Sequence, residues 1–160
     1  MRRLVNQFKE KIYKDDLKNC ILYGLLNMLL FSILAGAVQF FANAYLGIGF
    51  GLLVYLIAYM IGKEVRDRIY SYHILYSILS VVFFVIGYFI YNISYYAFLT
   101  HNVLLALHTI FSANGMINIV FSFLNYRTYL IPMAALYNVL DILIIVFSII
   151  TAYRLPQSRK

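Results

Sequence analysis

The chain has 160 residues, of which 64% are hydrophobic, 18% aromatic and only 12% charged. A water-soluble domain carries about 25% charged residues, so there is too little polar surface here to cover a soluble globule, and the length leaves no room for a soluble domain beside four or so membrane spans. The net charge of +7 does not point to nucleic acid, because the basic residues cluster where spans would end.

Those clusters are Arg2, Arg3, Lys9, Lys11, Lys14 and Lys18, then Lys63, Arg66 and Arg68, and finally Arg154, Arg159 and Lys160. Basic residues gathered at span ends mark the cytoplasmic side, where anionic lipid headgroups attract them. Both termini are therefore expected in the cytoplasm, with the lipid bilayer of the cell (plasma) membrane as the first partner. The single cysteine, Cys20, excludes an internal disulfide and any cysteine-based metal cluster. Trp is absent, which leaves the 16 tyrosines as the interfacial aromatics.

Residues 1–18 are expected to form a cytoplasmic amphipathic helix. Leu4, Val5, Phe8, Ile12 and Leu17 fall near one face, with Lys9, Lys11, Lys14 and Lys18 on others. Ala35-Gly36-Ala37 has the small residues of a signal-cleavage site. The long charged region ahead of it and the near-span length of the apolar run favour an uncut span.

No Lys, Arg, Asp or Glu occurs from 19 to 62, and none from 69 to 126. Between these runs, Gly62-Lys63-Glu64-Val65-Arg66-Asp67-Arg68 is expected to be a water-facing turn. Gln39 and Asn43 divide the first run, predicting spans over 20–40 and 43–62. In the second of these, Gly47, Gly51, Ala58 and Gly62 fall on one face. Such a stripe lets another helix approach closely, either within this chain or in a partner. A third span is expected over 69–91, with His73, Ser77, Ser80, Gly87 and Tyr91 turned into the bundle.

Residues 92–131 are too apolar for an ordinary loop. Ala97–Phe111 and Met116–Leu124 are each shorter than the ~17 residues that a crossing needs, and Ser112-Ala113-Asn114-Gly115 separates them. The expectation is an outer helical hairpin over 97–124, re-entrant or lying on the surface, because a single extra crossing would carry the C-terminal basic residues outside. Ile131-Pro132 opens the last span, 133–153, proline being at home in the first turn of a helix; 154–160 is then a cytoplasmic tail. The predicted fold is an all-α polytopic membrane helix bundle of four transmembrane helices plus that hairpin.

Asp141 is the single acidic residue inside a predicted span. Ala134, Tyr137, Asn138, Ser148 and Ala152 share its face, which predicts that it points into the bundle toward polar groups such as Asn27 or Tyr91. An ionised carboxylate at that depth costs about 2.5–3.5 kcal/mol. Asp141, Asn138 and Tyr137 thus form a candidate intramembrane ion or hydrogen-bond site. Two readings stand: a proton or cation site, or a neutral carboxyl bonding two helices together. His101 and His108 would sit two turns apart on one helix face, too far for two ligands of one metal, which favour i, i+4 spacing.

Two stretches resemble a loosely defined group of small, uncharacterised bacterial membrane proteins. One is Gly47-Ile48-Gly49-Phe50-Gly51 followed by Gly62-Lys63-Glu64-Val65-Arg66; the other is Asp141-Ile142-Leu143 with Ala152-Tyr153-Arg154-Leu155-Pro156. The match covers about a third of the chain and leaves 92–131 unexplained. The resemblance implies a four-span protein and carries no activity.

No His-Glu-x-x-His, Gly-x-Ser-x-Gly or phosphate-binding glycine loop is present. The expectation is a non-enzymatic accessory or scaffold subunit without catalytic, cofactor or metal residues, pairing with another membrane protein or with itself. The alternatives are an oligomeric transporter or channel component using Asp141 and, third, a membrane-embedded enzyme with His101 or His108 as general base.

Overall fold

The computed structural model describes residues 12–46, 52–112 and 132–158, with side chains in the last stretch described from residue 139. Among the described residues the chain is all-helical. Helix α1 is Lys14–Leu46, α2 Leu52–Arg68, α3 Ile74–Thr100, α4 Val103–Phe111 and α5 Pro132–Arg154, which ends in a 3-10 turn, Leu155–Ser158. Three helices are long and apolar enough to cross a membrane: α1, α3 and the stretch Val139–Ser158 containing most of α5.

Helix α1 has 33 residues, about 50 Å at about 1.5 Å per residue. It starts with Asp15 and Asp16 in its first turn, where acids suit the positive end of the helix dipole. Residues 14–18 are therefore the root of α1, whereas 1–11 of the expected amphipathic helix lie outside the described residues. The turn expected at Gln39 and Asn43 is helix instead. Neither residue breaks the backbone, and Asn43 donates its side-chain N–H to the Tyr95 hydroxyl at 2.8 Å. Ala35-Gly36-Ala37 is likewise internal to α1.

The buried face of α1 reads Cys20, Gly24, Met28, Ser32 and Gly36, one residue every four. Helix α3 runs along it. Gly24 meets Phe83, Met28 and Ser32 meet Gly87, Gly36 meets Tyr91 and Ser94, and Phe40 stacks on Phe98. The numbers rise together, so α1 and α3 are parallel. Small residues allow the approach: a Cβ on Gly36 would lie 2.6 Å from the Ser94 Cβ and 2.7 Å from the Tyr91 carbonyl oxygen. Ser94 Oγ donates to the Ile33 carbonyl at 3.1 Å, a bond across the seam. The outward face of α1, by contrast, is Leu22, Leu26, Leu30 and Leu34, all exposed. Leucines outside and glycine and serine inside reverse the pattern of a soluble helix; this is the arrangement expected where lipid is the solvent.

Three hydroxyls in this interior, on Ser32, Tyr76 and Ser80, are buried without a hydrogen-bond partner among the described residues. A methyl group in place of such a hydroxyl removes an uncompensated desolvation cost. Ser80→Ala is accordingly expected to be neutral or stabilising by up to about 1 kcal/mol, measured by reversible unfolding in bicelles. A clear loss of stability would mean that the hydroxyl has a partner.

Helix α2 runs antiparallel to α1 and α3. Ile57 reaches Gly87 near its middle. At its end the Arg68 guanidinium lies 3.8 Å from the centre of the Tyr23 ring, a cation–π contact. The charged stretch 62–68, expected as a turn, is the last part of this helix. Arg68 Nε donates to Glu64 Oε1 at 2.8 Å one turn earlier, a bond that favours the charged guanidinium. Arg66 pairs with Asp67. Helical i, i+4 pairing and basic residues at a helix C-terminus both stabilise helix here.

The reversal itself is at 69–73. Tyr70 N–H donates to Asp16 Oδ2 at 2.7 Å, which ties the turn to the start of α1. His73 caps α3, its Nδ1 accepting the Leu75 N–H at 3.0 Å. Helix α3 therefore begins at Ile74 rather than Ile69, and it continues to Thr100, well past Tyr91.

That extension changes the expected hairpin. Residues 97–100 belong to the last turn of α3, where Thr100 Oγ1 donates back to the Tyr96 carbonyl. His101 then takes a left-handed conformation, φ 51°, and Asn102 caps the nine-residue α4 by accepting the Leu105 N–H at 3.1 Å. Helix α4 packs on α3 with Ala106 and Ile110 buried. Residues 113–124 of the expected hairpin lie outside the described residues.

Helix α5 packs against α2 and α3. At its end Leu155 sits against Gly62, and Pro156 is buried. The contacts Asp16–Tyr70, Tyr23–Arg68 and Gly62–Leu155 bring the starts of α1 and α3 and the ends of α2 and α5 to one end of the bundle. Lys14, Lys18, Lys63, Arg66, Arg68 and Arg154 gather there.

Candidate functional site

Asp141 lies nine residues past Pro132 and 13 before Arg154, about 14 Å and 20 Å along the axis. Together these lengths match a membrane core about 30 Å thick, and Asp141 stands in the middle third of the helix. Ser148 and Ala152, which share its face at helical spacing, are fully buried. Asp141 itself is exposed, along with Val139, Leu140 and Leu143. The face expected to point into the bundle is therefore exposed at Asp141 and buried at Ser148 and Ala152.

Gly62 of α2 lies level with Ala152 and Leu155, and α2 and α5 run the same way. Equal rise places Leu52 level with about residues 142–145 of α5; what stands beyond it on that flank of Asp141 lies outside the described residues.

Its other flank faces α3. The Asp141 charge bears on the hydroxyls of Tyr88 and Tyr91, so of its two expected partners, Asn27 and Tyr91, the structure brings Tyr91 within electrostatic range. The Tyr88 and Tyr91 rings are stacked with centroids 6.2 Å apart. Tyr95, one turn beyond Tyr91 on α3, accepts the side-chain N–H of Asn43 through its hydroxyl. Asn92 Nδ2 is occupied by the Tyr88 carbonyl at 2.8 Å. A row of phenols therefore leads from Asp141 toward the end of the bundle opposite the basic cluster. Tyr88 and Tyr95 escaped the sequence reading because tyrosines are so frequent in this chain that spacing alone does not single them out.

Among the described residues, no ion pair or hydrogen bond engages the Asp141 carboxylate. The spans offer none: residues 19–62, 69–126 and 128–153 contain no Lys or Arg. Asn138 and Tyr137 are on the preceding turn of α5, and their side chains lie outside the described residues.

The small-residue stripe divides similarly. Ala58 and Gly62 are buried, and a Cβ on Gly62 would be 3.0 Å from both Cβ and Cδ1 of Leu155. This half of the stripe is occupied by the chain's own α5. Gly47 and Gly51 lie outside the described residues. His101 is the cap between α3 and α4, and His108 is in the last turn of α4, so the two do not share a helix face as expected. No group of three His, Cys, Asp or Glu residues that would hold a metal ion occurs among the described residues.

These features define a helical membrane protein. A comparison with protein-family models, curated proteins and solved structures finds no match.

Proposed function

We propose that the protein is a non-enzymatic accessory subunit of the cell membrane that docks onto another membrane protein through its spans, with the face of α5 around Asp141 as the contact. The observation that carries this reading is an acid within an apolar helix that is exposed and unpaired among the described residues, although Ser148 and Ala152, two and three turns on along the same face, are fully buried. A polar group left facing hydrocarbon costs several kcal/mol, and a partner helix removes that cost. The bundle is proposed to cross the membrane four times, α2 included, with a hairpin on the outer side and both termini in the cytoplasm. Its support is the gathering of basic residues at one end.

The test places a photo-crosslinking residue at Leu140 or Leu143 in native membranes, with Leu26 on the outer face of α1 as control. The expected result is a stoichiometric adduct to one foreign protein at the α5 positions, absent at Leu26 and diminished by Asp141→Leu. Adducts of equal yield at all three positions would sink the docking face.

The second reading is an oligomeric transporter or channel component. The phenols Tyr88, Tyr91 and Tyr95 favour it, because hydroxyls beside an intramembrane acid are what a proton or cation path uses. Here the purified protein is expected to form homo-oligomers whose proteoliposome conductance falls on Asp141→Asn. Conductance that is absent, or unchanged in a folded variant, removes this reading.

A further inference from the structure

We infer that the occupant of the Asp141 face is a transmembrane helix of a different protein carrying a Lys or Arg at mid-membrane depth. This inference rests on the docking role proposed above and names the chemistry of the partner.

Charge complementarity selects the occupant. A second copy of this chain, related by a two-fold axis along α5, would bring one Asp141 against another, an arrangement that holds only if at least one of the two carboxyls takes up a proton. It would offer no cation either, since no Lys or Arg lies inside the spans. A purely apolar helix would seal the face while leaving the carboxylate unpaired, which is the costly arrangement. A basic side chain supplies a counter-charge and N–H donors together. Its own cost in the membrane falls at the same contact, because each ion is the partner the other lacks.

The surroundings fit such a guest. Leu140 and Leu143 flank Asp141 and are exposed, as are Val139, Val146 and Phe147 on the same helix; they present ordinary lipid-facing surface for the stem of a second helix. On the α3 side the half-buried Tyr88, stacked on the buried Tyr91, lies within electrostatic range of the acid. A partly accessible aromatic ring beside a carboxylate favours a cation over a neutral amide.

The test uses full-length protein reconstituted in vesicles with a donor fluorophore at Leu143→Cys, in a Cys20→Ala background, and synthetic polyleucine transmembrane peptides bearing an acceptor. The peptides carry a central Lys, a central Glu or leucine only. The Lys peptide is expected to associate about ten-fold more tightly than the leucine peptide. Asp141→Asn should remove that advantage, and Asp141→Lys should transfer it to the Glu peptide.

Equal association of all three peptides, or a Lys preference that survives Asp141→Asn, overturns the inference. So does Asp141-dependent energy transfer between two copies of this chain, which would make the partner a second copy. A Lys preference that emerges only in Arg127→Gln would also overturn it, by assigning the carboxylate to the chain's own arginine. The proposed docking role fails separately: it falls if no helix, neighbouring copy or native protein associates at the α5 face.

Discussion

Gly36→Leu is expected to abolish the folded bundle while leaving membrane insertion intact. The added Cβ alone would fall 2.6 Å from the Ser94 Cβ and 2.7 Å from the Tyr91 carbonyl oxygen. The second of these is backbone and cannot turn aside, so α1 and α3 must separate. Separation also breaks the Ser94–Ile33 hydrogen bond and thins the packing that holds transmembrane helices together in place of a hydrophobic force. Overpacking in a close-packed interior costs about 1–3 kcal/mol, and with a backbone oxygen among the obstacles the expected loss is at least the upper end of that range. Gly36→Ala should show much of the effect. Gly24→Ala should show less, although its Cβ would approach Phe83 to 2.5 Å, because the obstacle is a ring edge that can rotate. Equilibrium unfolding in bicelles ranks the three, and protease protection of the termini verifies insertion. A Gly36→Leu protein as stable as the parent would mean that α1 and α3 are not in contact there.

Gly62→Leu is the second large effect, and it separates two uses of the α2 stripe. A Cβ at Gly62 would be tight against Leu155, 3.0 Å away, and a leucine side chain there would displace the 3-10 turn with its buried Pro156. The expected loss is about 2 kcal/mol, accompanied by faster proteolysis after Arg154. If the stripe instead served a partner, the same substitution would weaken partner capture and leave the stability of the isolated protein unchanged. Measuring the unfolding midpoint and the crosslink yield at Leu143 on one preparation distinguishes the outcomes.

Much of this architecture was legible in the residues. Two long runs without charge, broken by five charged residues, are a direct record of which segments avoid water, and the all-helical bundle follows from them. The boundaries were less legible because polarity and helix-breaking are different properties. Gln39 and Asn43 are polar, yet both continue α1; Lys63 to Arg68 are charged, yet Glu64 and Arg68 hold each other in helix. The true reversal at 69–73 carries no Gly or Pro, and depends on an acceptor 54 residues away, Asp16. Such a contact leaves no local trace.

The same distinction governs the candidate site. Asp141 stood out because an acid in an apolar run is rare, and its helical face was readable from Ser148 and Ala152. Its exposure depends on which neighbouring residues reach its level in the bundle, which spacing along α5 cannot report. The i, i+4 series Cys20, Gly24, Met28, Ser32, Gly36 was present in the sequence and is the main seam, but Met28 and Cys20 hide it from a search for glycine and alanine alone.

The parallel pairing of α1 and α3 has a consequence for the order of assembly. The residues bonded across the seam, Ile33 and Ser94, are 61 positions apart. At synthesis rates of about 5–20 residues per second, α1 waits roughly 3–12 s for its mate. Throughout that interval its groove of glycine and serine faces lipid or some temporary neighbour, and α2 must already have turned back before α3 can arrive alongside. The most tightly packed surface of the molecule is thus completed late, so damage to it should appear as a failure of maturation in newly made chains, exposed to membrane proteases, rather than as a failure to enter the bilayer.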